Sequence, residues 1–140
     1  MAVVLFIHSW VRWLIILVAV AALVKNAVGL IQKSVYDKMT GGIMAGFSGL
    51  FDLQVLLGLI LLILGWASFS AAAGGFPVPQ VEHLGTMFVA AMVAHSPRFW
   101  KDKPAAVVYR NNLIAIVVTL LLIVLGVSLL VGNRWVFRGL

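Results

Sequence analysis

The chain has 140 residues, of which 64% are hydrophobic and 10% charged. A water-soluble domain carries roughly 45–50% apolar and about 25% charged residues, so this composition excludes a soluble globular fold and reads as an integral membrane protein. The ten Lys and Arg outnumber the four Asp and Glu, but they are scattered in short segments, which excludes a nucleic-acid-binding face. The absence of cysteine excludes disulfides, thiolate metal sites, a thiol nucleophile and covalent c-type haem attachment.

At about 20 apolar residues per spanning helix, a chain of this length holds at most four spans and no separate extramembrane enzyme. The first predicted span covers residues 4–31, an apolar run broken only near its ends by His8, Arg12, Lys25 and Asn26. It is too long for the apolar core of a secretory signal and is expected to stay in the mature protein. The second, 41–67, carries Asp52 and Gln54 near its middle. Its glycine-rich start places Gly42 and Gly46, and also Ala45 and Gly49, at the small-xxx-small spacing that lets another helix approach closely. The third, 80–96, is short and delimited by Pro77 and Pro79 before it and Pro97 near its end. The fourth, 110–132, is the most uniformly apolar. Short connections between successive spans predict an all-α fold, an antiparallel bundle of four transmembrane helices forming one membrane domain.

Orientation follows from the basic residues. Lys25, Lys33 and Lys38 follow the first span, and Arg98, Lys101, Lys103 and Arg110 follow the third. The opposite face has Arg134 and Arg138, and the stretch SFSAAAGGFPVPQ between spans two and three has no charge. The positive-inside rule then places both termini outside the cytoplasm. Trp10, Trp13, Trp66 and Trp135 fall at the outer boundary and Tyr36, Trp100 and Tyr109 at the inner one, as interfacial rings do.

Ionisable groups inside a bilayer are costly and mark function or pairing. His8 and Arg12 are four residues apart on one helical face, and Glu82 and His83 open the third span. Because spans one and three run in the same direction, His8 and His83 lie at similar shallow depth. Two neutral imidazoles from different helices are what a low-spin b-type haem requires, one on each side of the iron. Arg12 would balance the propionates or Asp52, and Glu82 would orient His83 or relay a proton. Asp52 is the deepest carboxylate, and with Gln54 it forms a possible proton or quinone site; the same residues also suit a structural hydrogen-bond network between helices. Histidines near helix ends are equally ordinary interfacial side chains. His95, twelve residues after His83 and so about 18 Å further along a helix, has no fourth histidine to pair with and suits a capping or interfacial role.

The segments HSWVRW at 8–13, FDLQVLLGLIL at 51–61 and VEHLGTMFVAAMVAH at 81–95 resemble a group of small bacterial four-helix membrane proteins described as cytochrome b-like. The match falls on His8, Arg12, Trp13, Gln54, Glu82 and His83. A looser likeness connects the chain to the membrane anchors of respiratory dehydrogenases. The resemblance implies a multi-pass protein of the bacterial cytoplasmic membrane, associated with haem or quinone. The resulting expectation is a carrier of one haem b, with His8 and His83 on the iron, passing electrons to or from a quinone or a partner protein. The alternative is a cofactor-free structural subunit of a larger respiratory or photosynthetic complex. Expected partners are the lipid bilayer and either other membrane subunits or further copies of the chain.

Overall fold

The computed structural model describes residues 1–132 and 134–136. Within them the chain is helical, with four α-helices: α1 (Ala2–Ile31), α2 (Lys38–Ala73), α3 (Val78–Ala94) and α4 (Ala105–Ser128). A 3₁₀ turn, Ser96–Phe99, follows α3. Three of these, α1, α2 and α4, are long and apolar enough to cross a membrane; α3, with 17 residues, is shorter.

The boundaries are set by local chemistry. The α1 helix ends with Lys33 in the left-handed region (φ 52°), and the amides of Lys33 and Ser34 return to the carbonyls of Leu30 and Gly29, a Schellman closure. The first turn of α2 is capped by Asp37, whose carboxylate accepts the Thr40 amide at 2.7 Å and the Thr40 hydroxyl. Lys25 pairs with the same carboxylate at 3.1 Å. The Thr40 hydroxyl and amide, with the Lys25 ammonium, hold the Asp37 carboxyl down at about 2. The far end of α2 runs six residues past the predicted stop at 67, because Ser-Ala-Ala-Ala continues the helix until Gly74 (φ 67°) closes it. The third helix starts at Val78, two residues before the predicted 80, with Pro77 as its N-cap and Pro79 inside its first turn, and it ends at Ala94, two residues before the predicted 96. The fourth helix begins five residues earlier than predicted, immediately after Pro104, so Arg110, counted with the charges that follow the third span, lies in the second turn of α4.

Buried positions recur at spacings of three and four. On α1 they are Ile15, Ala19, Ala22, Asn26 and Gly29; on α2, Thr40, Met44, Phe47, Phe51, Gln54, Leu61 and Gly65; on α3, Met87, Ala90 and Ala94. On α4, Asn112, Ala115, Thr119, Ile123 and Gly126 continue the pattern. This is the stripe that lets side chains of one helix seat between those of the next. Each of α1 and α3 packs against both α2 and α4, around a core centred on Phe47, Phe51, Ile15 and Ile116. Outward positions such as Leu17, Ile63, Leu64 and Leu121 are large, apolar and exposed.

At the end of the molecule rich in Lys and Arg, here the basic end, buried amides join four segments: α1, α4 and the connections that follow α1 and α3. Asn112 donates to Asn26 at 3.0 Å and to the Tyr36 hydroxyl at 3.3 Å, and accepts from the Trp100 indole at 2.8 Å. Asn26 in turn donates to the Ala22 carbonyl at 2.7 Å. Burial pushes the Tyr36 phenol above its ordinary value. Nearby, Gly29 leaves room for the Tyr109 ring, whose hydroxyl donates to the Val35 carbonyl at 3.0 Å.

Candidate functional site

At the opposite end, the inward stripes of all four helices surround a cavity of about 200 Å³. Its walls are mostly apolar, with Leu5, Phe51, Leu84, Ile123 and Val127 among them, and its polar groups are His8, Ser9, Arg12, Gln54, Gln80, His83 and Arg134. Among the described residues no carboxylate lines it. Two imidazoles and two guanidiniums therefore face one space.

His83 projects from the second turn of α3, and its Nδ1 lies 2.7 Å from the carbonyl of Gly126 on α4. A carbonyl only accepts, so the hydrogen sits on Nδ1 and Nε2 is left as the ligating atom. His8 is held from the other side of the cavity. The Gln54 amide nitrogen donates to the His8 carbonyl at 3.0 Å and stands 3.2 Å from His8 Nε2. Since that amide nitrogen is a donor, His8 Nε2 accepts and Nδ1 carries the hydrogen. The ring rests over Gly58, where a Cβ would meet His8 Cε1 at 3.3 Å. His8 Nδ1, Gln54 Oε1, Gln80 Oε1 and Arg134 Nε are all buried without a hydrogen-bond partner. Four such atoms around one cavity mark a place where polar ligand atoms would be satisfied, since each buried orphan costs about 1–3 kcal/mol.

Arg12 lies one turn along α1 from His8. Its guanidinium is within 5.4 Å of the Trp13 ring centre and 5.5 Å of that of Trp135, and Nη2 donates to the Val136 carbonyl at 3.4 Å. It does not reach Asp52. That carboxylate is the main departure from the sequence reading: Asp52 is exposed and lies 3.3 Å from His95 Nε2. It stands one position past Phe51 on α2, a rotation of about 100° away from the inward stripe. His95 is the C-cap of α3, and its Nδ1 faces the Ala91 carbonyl at 3.0 Å. Both of its nitrogens therefore face oxygen atoms, and the His95–Asp52 contact joins α3 to α2. Glu82 is also exposed and outside the cavity; the group that orients His83 is the Gly126 carbonyl, not Glu82.

The structure thus gathers His8, Arg12, Gln54 and His83 in one cavity and leaves Asp52 and Glu82 out of it. Sequence reasoning missed Gln80 and Gly126 as site residues, counted Arg134 only as a topological charge, and took Gly58 no further than the glycines of the second span that clear space for a ligand. Gln80 had a signal, lying three residues before His83 on the same helical face. Arg138 lies outside the described residues. No cluster of three or more His, Asp or Glu suited to a bare metal ion occurs among the described residues; a haem iron held by two imidazoles does not require one. No protein-family model, curated protein or solved structure matches the chain.

Proposed function

We propose that the chain is an integral membrane protein of four antiparallel spans that holds one haem b between α1 and α3 and carries electrons to or from a quinone or a partner protein in a bacterial cytoplasmic membrane. The observation that carries this reading is the pair of imidazoles, His8 and His83, brought from different helices to one apolar cavity. Paired contacts support the helix directions: Asn26 late in α1 lies by Met44 early in α2, and His8 early in α1 lies by Gln54 further along α2. The basic end would face the cytoplasm and both chain termini the other side.

The donor set fits a bis-imidazole haem. His83 already has Nδ1 tied to a carbonyl, the outer contact that fixes a ligating imidazole and raises its basicity. His8 would become free to ligate when Gln54 releases its Nε2, and Gln54 keeps the His8 carbonyl as a partner. Arg12 and Arg134 supply cations for two propionates. Bound there, the haem would supply a one-electron couple whose potential would depend on the two imidazoles that hold it and on exclusion of water by the apolar walls.

A second reading rests on the contact between Gln54 and His8 and on the cavity volume of about 200 Å³: a quinone headgroup, with its two oxygens facing the orphaned donors, occupies the cavity in place of haem. A reduced-minus-oxidised visible spectrum of the detergent-purified protein, with pyridine haemochrome stoichiometry, separates the two. A sharp b-type α band at one haem per chain, lost in His83→Ala, supports the haem. A flat spectrum after expression with ample haem overturns it, and solvent-extractable quinone in that same sample moves the assignment to the second reading.

A further inference from the structure

The basic end contains a second cavity, of about 310 Å³, which takes no part in the site above. It exists because the helices differ in length. Asp52 meets His95 at the end of α3, so the first 14 residues of α2, about 20 Å of helix, extend past the point where α3 stops. The 3₁₀ turn and the loop around Lys101 only partly cross the gap. The floor is formed by small and apolar residues, Gly41, Ala45, Ala94 and Val108, and the rim by Arg98, Lys101, Tyr36 and Ser48. Among the described residues neither Arg98 nor Lys101 has an ion-pair partner. The Asp52 carboxylate is engaged by His95, and the Arg98 guanidinium lies over the Phe99 ring at 4.9 Å. Next to the floor, α2 presents Gly42, Gly46 and Gly49, where an added Cβ would meet nothing within 4 Å.

We propose that this cavity binds the phosphate headgroup of an anionic phospholipid, with an acyl chain lying along the open glycine face of α2. The inference rests on the membrane-spanning part of the reading above and not on its haem. A basic pocket between spans at the cytoplasmic surface is suited to such headgroups. The phosphate would sit between Arg98 and Lys101 as their shared anion while the Tyr36 hydroxyl, which accepts from Asn112, donates its own hydrogen to a phosphate oxygen. Charge selects this occupant over a second copy of the chain: an α2-to-α2 contact would bring Arg98 and Lys101 close to their equivalents and leave those like charges facing each other.

The test uses the full chain, delipidated in detergent and titrated with phosphatidylglycerol or phosphatidylcholine, bound lipid being counted by native mass spectrometry. One phosphatidylglycerol per chain should be retained over phosphatidylcholine. The double variant Arg98→Gln/Lys101→Gln should weaken that retention by roughly thirtyfold, from about 1 kcal/mol per basic residue, with helical content unchanged. Lys33→Gln/Arg110→Gln removes the same charge elsewhere on this end and should leave retention intact. Equal retention of the two lipids, equal loss in both double variants, or Ser48→Cys chains that cross-link as dimers would each overturn the lipid site. Release of the wild-type protein from carbonate-washed membranes would overturn the membrane-spanning reading itself, an outcome distinct from failure of the lipid site alone.

Discussion

The imidazole of His83 on α3 is aimed by Gly126 on α4, whose carbonyl receives the Nδ1 hydrogen across 2.7 Å. One helix carries the candidate ligand and its neighbour sets the tautomer. Gly126 can approach because it lacks a side chain: a Cβ there would stand 2.4 Å from Met87 Cε and 3.3 Å from Thr86 Cγ2.

Gly126→Ala is therefore expected to destabilise the protein by about 1–3 kcal/mol through overpacking, read as a lowered Tm in detergent. The nearest obstruction is the flexible tip of Met87, so Gly126→Ala/Met87→Ala should lose less than the sum of the two single variants. Strict additivity would show that Met87 is not what the new methyl group meets.

The site makes a similar demand at Gly58, where a Cβ would lie 3.3 Å from His8 Cε1. Gly58→Val should push the ring away and lower ligand affinity by roughly ten- to a hundredfold, the equivalent of about 1–3 kcal/mol of strain. Gly46→Val, on a face where nothing lies within 4 Å, should leave affinity unchanged. Haem or quinone titration of the two variants side by side gives the answer.

Helix existence was legible in the composition, and Pro77 and Pro79 marked the start of α3 to within two residues. The start of α2 was placed at 41, three residues late, because the Asp37 cap was not read. Rotation was harder to read. Helices that are apolar on every side give little amphipathic contrast from which to choose an inward face, so Asp52 was placed by depth alone. The three-and-four spacing of Phe47, Phe51 and Gln54 in fact marks the buried stripe and leaves Asp52 off it. His8 and Arg12 share a stripe with Ile15 and Ala19 by the same rule, which is why their proximity to the cavity was readable. The aiming of His83 by Gly126 was not, because a backbone carbonyl on another helix leaves no mark in the sequence.

Among the amides at the basic end, Asn112 is central. Asn112→Leu would leave the Trp100 indole and the side-chain amide oxygen of Asn26 without their partners, at about 1–3 kcal/mol for each buried orphan. Replacing both asparagines should be milder: Asn26→Leu/Asn112→Leu is expected to unfold at a higher temperature than Asn112→Leu alone. The reverse order would mean that Asn26 has partners enough without Asn112.

Asp37 gives a pH signature. Its carboxyl is held at about 2, below the ordinary 3.8, so its charge stabilises the fold above the unfolded value and that contribution disappears as pH falls through the folded one. Asn still caps a helix, so the Tm gap between wild type and Asp37→Asn isolates the charge. That gap should be constant above about pH 5 and close between about pH 4 and pH 2. A gap that does not change with pH would assign the stabilisation to the cap geometry alone.

In a chain that spans the membrane as proposed, the unequal lengths of α2 and α3 would also act on the surrounding lipid. With 36 residues, α2 is about 54 Å long, whereas α3, with 17, reaches about 25 Å, against a hydrocarbon thickness of about 30 Å. No bilayer of uniform thickness matches both. Along α2 the helix would lean or emerge into the headgroups, and beside α3 the hydrocarbon would thin by several ångströms. The protein would thus carry a lopsided annulus, thin on one flank, and in a mixed membrane that flank would collect short-chain lipids.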